Sequence, residues 1–302
     1  MASKGLITTR DGTQISYTQM GPLEGANILF LPGWRQTAAQ WGKQVEYFHA
    51  RHRVTTFDYR GHGESEKPAS EYTVGLLARD LNDLINALGL IGCTAVGHSV
   101  GASVIWAFWK THPESRHHIH KAVIADQAPC MLIDPSWSDA QIRNYGAIFT
   151  QDVLNQLPQV FDTMIPAAIK SMFTNKVTEE DLAWFLSQNE KCPKNIALQL
   201  LRNHASQDWR KVIPQLDMPV LVISAEGGQF PLETGAWIRE QTTDCKIAII
   251  KKDEGGSHFM FWEAPEKFNS IIEEFLNDGS ISKPKDAEVG TWRKLHHEPE
   301  FY

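Results

Sequence analysis

The stretch Thr94-Ala95-Val96-Gly97-His98-Ser99-Val100-Gly101-Ala102-Ser103 decides how the rest of the chain is read. Thr94 to Gly97 reads as a strand, and a helix starts directly afterwards, over Ser103 to Lys110. Between them stands Gly-x-Ser-x-Gly, Gly97 to Gly101. A strand-to-helix turn this sharp holds its serine in a strained backbone conformation, and the flanking glycines remove side chains that would clash. The Ser99 hydroxyl is then expected to project from the top of a sheet, and the helix N-terminus behind it favours developing negative charge. The five-residue pattern occurs by chance in unrelated proteins; the strand before it and the helix after it give it weight here.

Working outward, the same alternation continues on both sides. Upstream, Thr13 to Thr18 alternates as a strand, and Ile28 to Leu31 is a continuous apolar run of the kind a sheet buries on both faces. Arg53 to Phe57 is the next strand. A helix over Leu76 to Leu88 carries Leu77, Leu81, Leu84, Ile85 and Leu88 on one side. Downstream, Ala122 to Ala125 is a buried strand ending at Asp126. Strands return at Pro219 to Ser224 and Lys246 to Ile250, and a last helix covers about Pro265 to Asn277. Strands alternating with helices imply an α/β fold with a mostly parallel central sheet flanked by helices.

From about Pro135 to Asp208 no strand is evident. Helical stripes take over: Phe149, Val153, Leu157, Phe161, Ile165 and Ile169, then Leu182, Phe185 and Leu186, then Ile196, Leu200 and Leu201. The expected organisation is a core formed by 1–134 and 209–278, an inserted helical cap at 135–208, and a polar tail at 279–302.

The 302 residues are 42% hydrophobic, enough for a large core without disulfide staples. A formal net charge of -7 argues against nucleic acid as a partner and favours small neutral or apolar ligands. Cys93, Cys130, Cys192 and Cys245 form no CxxC pair and read as free thiols of a reducing compartment. Met1 to Arg10 lack the apolar run of a signal peptide, and no run approaches a membrane span. The cytoplasm is the expected location, with no membrane partner.

A serine hydroxyl is a weak nucleophile at neutral pH and needs a base. In this motif class the histidine comes last in chain order, on a loop after the final strand. His258, in Gly255-Gly256-Ser257-His258-Phe259, satisfies that. The other eleven histidines fit less well. His296 and His297 lie in the polar tail; His117, His118 and His120 read as a solvated face, with no acidic neighbour to make a metal site; His98 is inside the turn.

Four segments together resemble the α/β-hydrolase superfamily in order and spacing: Leu31-Pro32-Gly33-Trp34, Asp58-Tyr59-Arg60-Gly61-His62-Gly63-Glu64-Ser65, the Ser99 turn, and Ser257-His258-Phe259. The resemblance covers roughly residues 10–275. It implies the α/β-hydrolase fold with an inserted helical cap, and an oxyanion hole formed by the backbone N–H groups of Val100 and Trp34, with the Trp34 ring lining the pocket. It leaves Asp58, Arg60 and Glu64 to hold their loop. The chain departs from the family at the third member of the triad. An aspartate is usual after the strand at Pro219 to Ser224, where this chain has Glu226-Gly227-Gly228. Some members place the acid one strand earlier, at the position of Asp126, which is favoured here over Glu226. Either acid could meet the second nitrogen of the imidazole.

These residues imply a serine hydrolase of a small ester, lactone or similar acyl compound, working through Ser99, His258 and Asp126 with no cofactor and no metal. Trp34, Trp137, Phe149, Phe161 and Trp184, with Tyr145 and Met164, are expected to supply an apolar substrate pocket. The runner-up comes from a second, partial resemblance, to the cofactor-free 3-hydroxy-4-oxoquinoline 2,4-dioxygenases. It rests on Pro32-Gly33-Trp34, Arg60-Gly61-His62-Gly63, Asp126 and the missing later acid. Val100 and Gln127 depart from it, since those enzymes carry a histidine and a tryptophan there. In that reading His258 and Asp126 deprotonate the substrate. An epoxide hydrolase or haloalkane dehalogenase would need an aspartate at position 99, and the intact Ser–His pair speaks against a binding module without turnover.

Overall fold

A computed structural model describes residues 3–174 and 176–278. Eight strands form one sheet: β1 Ser3–Thr8, β2 Gln14–Met20, β3 Asn27–Leu31, β4 Arg53–Phe57, β5 Cys93–His98, β6 Ile119–Ala125, β7 Val220–Ala225 and β8 Cys245–Ile250. They lie in the order β1-β2-β4-β3-β5-β6-β7-β8. The first two pairings, β1–β2 and β2–β4, are antiparallel, and every pairing from β4 to β8 is parallel. Parallel strands need crossovers, which put helices on both faces. That is why β4, β5 and β7 are buried at every position, although β4 and β5 carry Arg53, Thr55, Thr56, Thr94 and His98 as well as apolar residues.

The helices are α1 Gly42–Phe48, α2 Val74–Ala87, α3 Val100–Thr111, α4 Asp139–Tyr145, α5 Gln151–Ser171, α6 Glu179–Glu190, α7 Lys194–Ala205, α8 Leu232–Gln241, α9 Met260–Glu263 and α10 Pro265–Asp278. The α2 stripe buries Leu77, Leu81, Leu84 and Ile85. The Thr73 hydroxyl caps α2 by accepting from the Leu76 N–H at 3.1 Å, so the helix starts two residues earlier than its apolar pattern alone indicates. Three elements were not expected from the sequence. β1 is an edge strand with most of its residues exposed, including Leu6, and the short helices α1 and α8 carry few apolar positions.

Between β6 and β7 the chain runs through α4 to α7. Helix α5 buries Leu154, Leu157, Phe161, Ile165 and Ile169. Val153, expected on that face, is 45% exposed, and Leu154 takes its place. The difference follows from packing: Leu154 joins Leu157, Leu201 and Ala205 in one cluster, which turns the buried face one residue from the expected position. Met164, expected in the pocket, is 52% exposed and faces solvent. No helix among the described residues is long and apolar enough to cross a membrane. The polar tail, with His296 and His297, lies outside the described residues.

One buried residue of α7 makes the fold sensitive to acid. His204 is 3% exposed, and neither ring nitrogen has a hydrogen-bond partner among the described residues. Burial lowers its pKa from 6.5 to about 3. A histidine held neutral by the fold carries no penalty above its unfolded pKa, and stability is lost as pH falls below 6.5 towards 3. Between pH 7.5 and pH 5 this one group should remove about 2 kcal/mol. Urea midpoints for the wild type and His204→Leu should therefore diverge over that range, in favour of the variant. A gap that stays constant with pH would show that His204 does not carry this sensitivity.

Candidate active site

The turn between β5 and α3 holds Ser99 at φ 52° and ψ −122°. Its glycines are required by close approach. A Cβ on Gly97 would stand 2.6 Å from the Ala102 nitrogen, and one on Gly101 would collide with the Leu31 carbonyl. The neighbouring strand ends set the acid beside the serine. The Ser99 N–H donates to the Ala125 carbonyl at 3.0 Å, and the Asp126 N–H donates to the Ile223 carbonyl at 3.0 Å. Among the described residues the non-glycine residues with positive φ are Arg35, Ser99 and Asp126. Backbone strain of this kind gathers at functional sites.

His258 enters from the loop after β8. Its Nδ1 lies 2.6 Å from Asp126 Oδ2, and both side chains are buried. The same carboxylate oxygen accepts from the Gln229 N–H at 2.8 Å. Glu226, the alternative acid, is exposed, and its carboxylate accepts from the Lys252 N–H at 3.0 Å. Gly228 explains the pair of glycines where an aspartate was expected: a Cβ there would stand 2.6 Å from Asp126 Oδ1. The Asp126 carboxylate fills the room that a side chain at 228 would need. No hydrogen bond joins Ser99 Oγ to His258 among the described residues. In unliganded active sites such contacts are often long and tighten only with substrate bound.

His98, inside the turn, braces two loops at once. Its Nε2 lies 2.7 Å from the His258 carbonyl, and its Nδ1 lies 3.1 Å from Gln36 Oε1. Its ring packs 4.4 Å from the His258 ring. Burial, with the nearby His258, pushes its pKa well below the usual value, so it stays neutral. Gln36 Oε1 also accepts the Gly33 N–H. That leaves the next N–H along, on Trp34, without an acceptor in the turns and caps described, as is the Val100 N–H at the start of α3. Neither of the two N–H groups expected to hold an oxyanion therefore has an acceptor in those turns and caps. Neither Gln36 nor the bracing role of His98 was apparent from the sequence.

The aromatic residues divide. Trp34 donates its indole N–H to the Ala197 carbonyl of α7 at 2.8 Å and meets Phe161 edge-on at 6.1 Å. Phe149 and Trp34 pack on the same small cluster, Leu154, Leu157, Leu201 and Ala205. Phe149 also packs on a second cluster, Ala128, Met131 and Phe230, and Phe230 lies edge-on to His258 at 6.5 Å. Phe230 follows the two glycines and went unnoticed in the sequence. Trp137 and Trp184 are not brought to this group. Trp137 packs on Tyr145 at 4.9 Å beneath Arg210, and Trp184 stacks on Trp262 at 4.9 Å. Asp58 holds its loop, accepting from the Ala38 and Glu64 N–H groups at 2.7 and 2.8 Å. Arg60 is buried against Asp80. The His258 N–H donates to the Met172 carbonyl, just past α5, at 3.1 Å. Among the described residues no group of three His, Cys, Asp or Glu side chains is placed to hold a metal ion.

A family model for the alpha/beta hydrolase fold matches residues 26–265. The chain is 33% identical over 279 residues to the non-heme chloroperoxidase of Streptomyces lividans, covering 90% of this chain and 99% of that protein. The bromoperoxidase from Bacillus anthracis superposes with a TM-score of 0.82 at 22% identity, covering 91% of this chain and 100% of that one. An esterase from Exiguobacterium antarcticum superposes at 0.80, also at 22% identity, over 91% and 99% of the two chains. At that identity the two structural likenesses bear on the fold alone.

Proposed function

This chain belongs to the α/β-hydrolase family, and from that premise we propose that it is a serine hydrolase of small ester, lactone or similar acyl compounds. The observation that carries the reading is the buried His258–Asp126 hydrogen bond beside a serine held at φ 52°. Asp126 accepts from His258 Nδ1–H, which leaves Nε2 as the basic nitrogen. Nε2 takes the proton of Ser99 Oγ as it adds to the acyl carbon. The carbonyl oxygen becomes an oxyanion, held by the N–H groups of Trp34 and Val100. As the tetrahedral centre collapses, the proton on His258 passes to the departing alcohol oxygen. Water then gives a proton to Nε2 as it attacks the acyl-serine, and when this second tetrahedral centre collapses Nε2 returns the proton to Ser99 Oγ and the acid leaves. The apolar groups around Trp34, Phe149, Phe161 and Phe230 fit a substrate with a substantial hydrocarbon part.

A second reading, cofactor-free opening of a 3-hydroxy-4-oxoquinoline ring, keeps one observation in its favour. That observation is the His258–Asp126 hydrogen bond, which a base pair acting directly on a substrate hydroxyl would equally require. A fluorophosphonate probe tests the leading reading. Intact mass should rise by one adduct per chain, located at Ser99 by peptide mapping, and labelling should drop sharply in His258→Ala. Labelling of another serine, or none in folded protein, would sink it.

A further inference from the structure

Arg35 has no part in the mechanism above, yet it stands next to a proposed oxyanion donor. Its backbone is left-handed at φ 56°, and its carbonyl accepts from Asn189 Nδ2 at 2.7 Å, which fastens this loop to α6. Its side chain is only 9% exposed. The guanidinium carbon lies 5.2 Å from the centre of the Phe161 ring and 5.8 Å from that of Trp34. Nε has no hydrogen-bond partner, and no carboxylate pairs with the group among the described residues. The two acids whose charge reaches it are otherwise placed: Asp162 pairs with Lys194 at 2.6 Å, and Glu190 is exposed.

A cation buried without a counter-charge is unfavourable, and two aromatic rings offset only part of that cost. We propose that Arg35 is the anion anchor of the substrate site, so that the preferred acyl substrate carries a carboxylate that pairs with this guanidinium while its scissile carbonyl meets Ser99. The inference rests on Ser99 as the nucleophile for its second half only. A carboxylate fits better than a dianion because the guanidinium offers a single positive charge and the nearby Lys194 is already neutralised by Asp162. Arg35 directly follows Trp34, the proposed oxyanion donor, so a short dicarboxylic half-ester serves as the probe.

Two measurements test this separately from the hydrolase reading. The first compares kcat/KM for 4-nitrophenyl hydrogen succinate and 4-nitrophenyl butyrate. The ratio of charged to neutral ester should fall by about ten- to a hundredfold in Arg35→Met, chiefly through KM, and recover in part in Arg35→Lys. The second uses Ser99→Ala protein, in which turnover plays no part. By calorimetry, monomethyl succinate should bind more tightly than dimethyl succinate, and the difference should vanish when Arg35→Met is added. Arg35-dependent binding without any ester turnover in the wild type would support the anchor and sink the serine hydrolase. Turnover with an unchanged ratio in all variants, or a preference indifferent to Arg35, would overturn the anchor and leave the hydrolase standing. Removing an uncompensated buried cation should also raise the melting temperature of Arg35→Met. An arginine kept only for structure would lower the melting temperature when replaced and leave the ratio unmoved.

Discussion

Replacing Ser99 with alanine should reduce ester turnover by about a million-fold, the scale seen when the nucleophile of a serine triad is removed. The reason is the step itself. Without Oγ no acyl-enzyme forms, and only oxyanion stabilisation and binding are left to assist direct attack by water. His258→Ala should cost about as much, because the two groups act as a unit, and the double variant should be little worse than either single one. The same variants separate the two chemical readings. In a cofactor-free dioxygenase the base pair acts on the substrate and the serine only assists, so Ser99→Ala would keep substantial activity while His258→Ala would not. The assay is turnover of aryl esters and of 3-hydroxy-4-oxoquinolines with and without oxygen. The expected result is oxygen-independent ester cleavage that disappears in Ser99→Ala. Oxygen-dependent ring opening that survives that substitution would promote the second reading.

The next largest effect is expected at Asp126. Asp126→Asn should lower kcat by about 10⁴, as neutralising a triad aspartate does when it leaves imidazole in the wrong tautomer. Glu226→Gln should change little, since that carboxylate is exposed and bound to the Lys252 N–H. Gly228 supplies a stricter check. A side chain there would meet the Asp126 carboxylate at 2.6 Å, so Gly228→Asp should be inactive in the wild-type background. Combined with Asp126→Gly, which removes the obstruction and suits the positive φ at 126, it should regain part of the rate lost in Asp126→Gly alone. A large loss in Glu226→Gln beside a small one in Asp126→Asn would overturn this assignment of the acid.

The legible parts of this protein were those written in contiguous residues. The Ser99 turn, the apolar strands and the loop histidine each declare themselves over five to seven positions, because a buried parallel strand and a tight turn restrict residue type locally. The expectation at Asp126 came from an absence, the glycines at 227 and 228, and the Asp126 carboxylate lies in the space that Gly228 leaves. What could not be read depends on contacts between distant segments. The bond between His98 and His258 spans 160 residues, and that between His98 and Gln36 spans 62. The aromatic residues show the same limit. Phe149, Phe161, Trp137 and Trp184 are equally plausible by composition, but which face of a helix meets the core is set by packing. Hence Trp184 stacks on Trp262, while Phe161 meets Trp34. A one-residue difference in phase likewise moved Val153 to the surface and Leu154 inward.

The segment between β6 and β7 is tied to the proposed site by two bonds to its backbone carbonyls: Met172 takes the His258 N–H, and Ala197 takes the Trp34 indole N–H. These are the bonds that would have to break if that segment swung away to admit a substrate. In that case opening and readiness would be mutually exclusive states of one device. While ajar it would carry a slackened imidazole and a displaced oxyanion donor; shut, it would have both in register and water held at the margin. Turnover in such a molecule would be timed by the hinge as much as by the chemistry, and tethering α5 or α7 to the core should slow entry and exit while leaving the bond-breaking step its full speed.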